Sequence, residues 1–157
     1  MAKITCAGLL LIAVFNMAHA QKVTQSLIPK DFVRQYYQAY SGVPKAARLS
    51  PFYADSTTID DPTYDWVGNT KTAIFKNFDQ NNLNNHYTWR IDQQISQDNK
   101  LVTEGLLSAV YGDIPYEMRF VNIFWFENGK IVKQYDYYDN KDWYKAVEEW
   151  KKRQQEK

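Results

Sequence analysis

The spacing of apolar positions changes part-way along this chain. Between Pro29 and Tyr40, Phe32, Val33, Tyr36, Tyr37 and Tyr40 recur every three or four residues, which is one face of a helix. Pro29 suits a helix's first turn, and Gly42 and Pro44 end it. Lys45 to Leu49 reads as a short second helix broken by Pro51, with Phe52 and Tyr53 packing nearby. Ser56 to Asp60 is β-branched and predicts a short strand, stopped by Asp61-Pro62. Asn69 or Thr70 caps a third helix carrying Ala73, Ile74, Phe75 and Phe78. Asp79 to Asn85 forms its polar exit.

From Tyr87 the period falls to two. Tyr87 to Ile95 alternates, with Tyr87, Trp89, Ile91, Gln93 and Ile95 on one side. A turn at Asp98-Asn99-Lys100 leads into strands over Leu101 to Tyr111, Tyr116 to Phe126 and Ile131 to Tyr138. Asp142 to about Arg153 predicts a terminal helix with Trp143, Ala146, Val147 and Trp150 on one face. Helices first and strands later indicate one α+β domain, with the strands curled against the early helices.

Asn128-Gly129 is a strong two-residue hairpin signal. Counting outward from it pairs Phe126 with Ile131, Trp125 with Val132 and Val121 with Asp136. On that register Arg119, Val121, Ile123, Trp125, Val132, Gln134, Asp136 and Tyr138 share one face. Apolar neighbours would raise the Asp136 carboxyl and Arg119 would lower it. The sequence leaves that contest open.

Composition narrows the setting. Lys3, a short apolar stretch from Ile4 to Phe15 and Ala18-His19-Ala20 form a signal-peptide pattern over residues 1–20, so the expectation is a secreted or periplasmic protein beginning near Gln21. The apolar stretch is too short to span a membrane, and no second one follows. The sole cysteine, Cys6, leaves with the signal, so the remaining chain has no disulfide and relies on its core. About 137 residues suffice for one domain, 21–157. With 19 basic against 18 acidic side chains, and Lys3 lost, charge balances near zero, which argues against a nucleic-acid partner. His86 is then the only histidine, so a multi-histidine zinc site is excluded by count, and no metal or cofactor is expected.

The order of helix, short helix, Tyr53-Ala-Asp-Ser-Thr-Thr-Ile-Asp-Asp-Pro62, Gly68 before a helix, then strands ending Glu127-Asn-Gly-Lys-Ile-Val-Lys-Gln-Tyr-Asp-Tyr-Tyr-Asp139 resembles the SnoaL-like branch of the NTF2-like superfamily over Pro29 to Asp139. The resemblance implies a cone-shaped α+β fold, a strongly curved mixed sheet around helices, a deep apolar pocket and often dimerisation through the outer sheet face. The superfamily contains cyclases, isomerases, dehydratases, epoxide hydrolases and non-catalytic binding proteins, so fold alone does not assign a reaction. Asp136-Tyr137-Tyr138-Asp139 matches a last-strand pattern whose acid works as a base in cyclases and epoxide hydrolases. The arginine and aspartate that epoxide hydrolysis wants after a glutamate are replaced here by Gly105 and Leu107 after Glu104.

Asp136 is thus the leading candidate base, suited to taking a proton from a carbon beside a carbonyl. Asp60 is a weaker candidate, expected to point opposite Asp61, which reads as a turn-organising aspartate. Glu104 depends on strand register, because a one-residue slip moves it to the other face. Tyr36, Tyr40, Trp66, Arg119, Val121, Ile123, Trp125 and Tyr138 are the candidate ligand contacts. His86 reads as a solvated loop residue, and Lys151-Lys152-Arg153 as a solvated helix end. The leading expectation is a pocket protein binding a small, largely apolar molecule without turnover. The alternatives are a cofactor-independent isomerase, cyclase or lyase using Asp136, and a homodimeric interaction module without a ligand.

Overall fold

The computed structural model describes residues 28–82 and 85–156, so the leader pattern lies outside the described residues. Helix α1, Phe32–Tyr40, turns Phe32, Tyr36 and Tyr37 into the core, as its spacing predicts. Helix α2, Ala46–Leu49, runs directly into a 3-10 turn over Ser50–Phe52. Helix α3, Lys71–Asn81, is capped by Thr70, whose hydroxyl accepts from the Ala73 amide at 3.2 Å. Helix α4, Lys141–Gln155, buries Ala146 and Val147. No helix among the described residues is long and apolar enough to cross a membrane.

Among the described residues six strands form one mixed sheet: β1 Tyr53–Asp61, β2 Trp66–Gly68, β3 Asn85–Gln97, β4 Lys100–Tyr111, β5 Ile114–Glu127 and β6 Lys130–Tyr138. Their spatial order is β2-β1-β6-β5-β4-β3, with β1 parallel to β6 and the other neighbours antiparallel. The sheet is curved and open, and its inner face wraps α1. Phe32 sits within 4.8–5.8 Å, centroid to centroid, of the rings of Tyr36, Phe52, Phe124 and Phe126. His86 lies within β3 and is exposed, rather than in a loop. Strand β2 has no counterpart in the sequence reading, because three residues are too few to show a period.

Two bulges change the expected faces. In β6 the ladder runs Phe126↔Ile131 and then Trp125↔Lys133, so Val132 is the extra residue. Every later residue of β6 is displaced by one, and Asp136 pairs with Asn122 instead of Val121. In β3 the ladder passes from Ile91↔Gly105 to Gln93↔Glu104, skipping Asp92. Tyr87, Trp89 and Ile91 therefore pack inward or against the core, while Ile95 is 58% exposed. Gly105 permits the tight pairing beside that second bulge: a Cβ there would collide with the Arg90 carbonyl oxygen and meet Phe120 at 3.1 Å. The β4–β5 connection is a two-residue turn at Gly112-Asp113, with Tyr111↔Ile114 closing it and Gly112 at φ +65°.

Candidate functional site

Between the sheet's inner face, α1, α3 and α4 lies a cavity of about 570 Å³. That is within the range of small-molecule pockets. Aromatic side chains dominate its wall, and Asp61 and Asp136 are the carboxyls that line it. Lys151 is the one basic residue on it among the described residues, so one member of the terminal basic run reaches the cavity edge. Arg153 of the same run pairs with Asp113 and Glu149.

Asp136 is 8% exposed and held by two side-chain amides. Asn122 Nδ2 donates to its Oδ1 at 2.5 Å, and Gln134 Nε2 lies 2.8 Å from both oxygens. Each amide is itself oriented by a tyrosine. The Tyr37 hydroxyl donates to Asn122 Oδ1 at 2.9 Å and also bonds Thr103 Oγ1 at 2.5 Å. The Tyr53 hydroxyl donates to Gln134 Oε1 at 2.6 Å and shares a 2.7 Å bond with the Tyr36 hydroxyl. With both amide oxygens committed to O–H donors, both NH2 groups must face the carboxylate. Since a carboxylate offers about four acceptor positions, these contacts leave one of them, on Oδ2, open.

No Lys or Arg among the described residues pairs with Asp136. Burial pushes its carboxyl up to about 7. The Gln134 amide opposes that rise, the Asp61 charge adds to it and the Asn122 amide opposes it. Burial also raises the hydroxyls of Tyr36, Tyr40, Tyr53 and Tyr138, so they remain proton donors at neutral pH.

Several expected placements are corrected by the Val132 bulge. Arg119, Val121, Ile123 and Trp125 lie on the opposite sheet face from Asp136, outside the cavity. Arg119 is exposed and bonds Asp92 at 2.7 Å, so the contest between Arg119 and the apolar pocket does not arise. Glu104 pairs with Val121, is exposed and shares that outer face, whereas Leu107 lines the cavity. Asp60 alternates with the cavity-lining Ile59 and Asp61 and points away; the acid of that pair that enters the wall is Asp61. Asp61 also organises its turn, its Oδ1 accepting from the Thr63 amide at 3.1 Å. Burial raises its carboxyl to about 6; the Tyr64 and Thr63 amides oppose this and the Asp60 charge adds to it. Tyr36, Tyr40, Trp66 and Tyr138 all line the cavity.

Asn122, Gln134, Tyr37, Tyr53 and Thr103 escaped the sequence reading as parts of the site. Their one signal was polarity at positions of otherwise apolar strands and helix faces, which the assumed register assigned partly to the wrong side. No group of three or more His, Cys, Asp or Glu among the described residues is placed to hold a metal.

A family model for the SnoaL-like domain matches residues 33–134. Among solved structures, a candidate SnoaL-like polyketide cyclase from Shewanella denitrificans OS-217 superposes with a TM-score of 0.65 at 14% identity, covering 76% of this chain and 96% of its own. A candidate polyketide cyclase from Pseudomonas putida KT2440 gives 0.64 at 15% identity over 78% and 98% of the two chains. An NTF2-like protein from Burkholderia thailandensis E264 gives 0.61 at 18% identity over 74% and 95%. At these identities the likeness is one of fold. No curated protein matches the sequence significantly. With more than half its length matched by the family model and a curved six-stranded sheet around its helices, the chain belongs to the SnoaL-like domain family and has the NTF2-like fold.

Proposed function

We propose that this is an exported pocket protein that takes up a small, largely apolar molecule and uses Asp136 as general base in a cofactor-independent proton transfer of the isomerase, cyclase or lyase type. One observation carries the reading: a buried carboxylate on the cavity wall, fixed by two oriented amides, with an open acceptor position and no cationic partner among the described residues. A base must be ionisable near working pH and immobile against its substrate. In the reaction, Oδ2 takes a proton from a carbon beside a carbonyl, and the electron pair moves into an enolate. Protonated tyrosines on the same wall, Tyr40 and Tyr138, are available to donate to the enolate oxygen. The proton then returns to carbon, or a leaving group departs.

Binding without turnover is the second reading. It is favoured by the same open acceptor, which serves equally as a hydrogen-bond site for a ligand hydroxyl. The apolar outer sheet face, where Tyr137 is 41% exposed beside half-buried Val121, Ile123, Trp125 and Tyr135, supports a homodimer in either case.

The two readings separate with 2-tetralone, an apolar bicyclic ketone with an acidic C–H. Its deuterium uptake in D2O is followed by NMR. Acceleration by the wild-type protein, lost in Asp136→Asn, supports catalysis. Binding without acceleration supports sequestration, and no binding at all refutes the pocket reading. Sequencing the N-terminus of the natural protein tests export.

A further inference from the structure

The second carboxyl of the cavity has an environment of its own. Asp61 ends β1, and its cross-strand partner in β2 is Trp66, so the two side chains stand side by side on one sheet face. Tyr64 sits in the turn between them. Its ring lies 5.2 Å from Trp143 of α4 and 6.2 Å from Tyr138 of β6. All five residues line the cavity.

This arrangement is built, not incidental. The turn is stitched to the end of β6, because the Tyr138 amide donates to Thr63 Oγ1 at 2.8 Å and Asn140 Nδ2 to the Thr63 carbonyl at 3.4 Å. Asp65 adopts φ +49° to close the hairpin, which short polar residues tolerate. Gly68 leaves room for the Trp66 ring, whose Cη2 would lie 2.7 Å from a Cβ there. The Tyr64 hydroxyl rests on Met118 Sδ at 3.8 Å.

Beside these aromatic residues of the cavity wall, Asp61 has no cationic partner among the described residues. Lys151, the basic residue of the cavity wall, makes no ion pair with it. The charged neighbours Asp60 and Asp136 act on it with the same sign as its own. A negative charge beside electron-rich Trp and Tyr rings is complementary to an organic cation.

We propose that this cluster is a subsite for an organic ammonium group, with Asp61 supplying the countercharge and Trp66, Tyr64, Tyr138 and Trp143 the ring faces. The inference rests on the cavity being a ligand site, and it narrows the ligand to an apolar body bearing an amine or quaternary ammonium.

The test compares benzyltrimethylammonium with its uncharged isostere neopentylbenzene, each titrated at pH 8 with tryptophan fluorescence and NMR shifts as readouts. The wild-type protein should bind the cation at least about tenfold more tightly. Asp61→Asn keeps an oxygen for the Thr63 amide, so the turn survives. It should lose most of that preference while binding neopentylbenzene as before. Asp60→Asn, off the cavity, should keep the preference. Should Asp61→Asn misfold, Trp66→Leu should weaken the cation more than the isostere. Equal affinity of the wild-type protein for both probes, or a preference that survives in Asp61→Asn, overturns the ammonium site alone. Failure of both probes to bind overturns the pocket reading with it.

Discussion

Replacing Asp136 by Asn should make this protein more stable in alkaline solution and change its pH dependence. Asp136 rises from an ordinary 3.8 to about 7 in the folded state. The folded protein therefore binds a proton that the unfolded chain has already released between about pH 4 and 7. Stability must fall as pH rises through that window and level off above it. At 1.36 kcal/mol per pH unit, the cost of holding this carboxylate ionised is about 4 kcal/mol above pH 7. That is a large share of the roughly 5–15 kcal/mol that stabilises a domain. Asparagine removes the cost. Its oxygen can still accept from Asn122 and Gln134, but its NH2 meets the Gln134 NH2 where Oδ2 stood, forfeiting a hydrogen bond worth about 1 kcal/mol. The net gain at pH 8 is then about 3 kcal/mol. Asp61 has the same sign of pH dependence but is present in both proteins and cancels to first order. Urea unfolding at pH 4, 6 and 8 measures the difference. The stability curves of the two proteins should diverge by about 4 kcal/mol between pH 4 and 8. Parallel curves would refute the claim that Asp136 is buried without a countercharge.

Arg119→Ala should leave the urea midpoint nearly unchanged, because its ion pair with Asp92 is exposed and screened by solvent. It should also leave the Asp136 titration midpoint, read by carboxyl-carbon NMR, unmoved; a clear rise in that midpoint would restore Arg119 to the Asp136 side of the sheet. Gly105→Ala should cost about 1–3 kcal/mol or more in urea unfolding, because the added methyl meets the Arg90 backbone oxygen, which has no freedom to move aside. A loss under about 0.5 kcal/mol would mean that β3 and β4 do not approach as closely as described.

The parts of the fold legible in the sequence are those set by local patterns. The helical spacing of Phe32, Tyr36 and Tyr37, the Thr70 cap and the Asn128-Gly129 turn each depend on neighbours a few residues away, and each appears where expected. The family resemblance extended this to the whole architecture, since element order constrains how a mixed sheet can be wound. Tyr36, Tyr40, Trp66, Tyr138 and Asp136 all line the cavity; Asp136 and Tyr138, two residues apart on one strand, share a face whatever the pairing register.

Which neighbours surround Asp136 was decided only by tertiary structure. Both faces of the β5–β6 hairpin are apolar, so hydrophobic alternation could not reveal that Val132 is an extra residue. Neither glycine nor proline marks that bulge. One displaced residue exchanges Arg119 and Val121 for Asn122 and the tyrosine-held amides as the company of Asp136. Residue pattern alone places an acid near the end of the last strand of an NTF2-like domain. The three-dimensional fold determined that it stands there without a cationic partner among the described residues, because a charge's partner depends on which face it occupies, and a period of two turns a single bulge into a change of face.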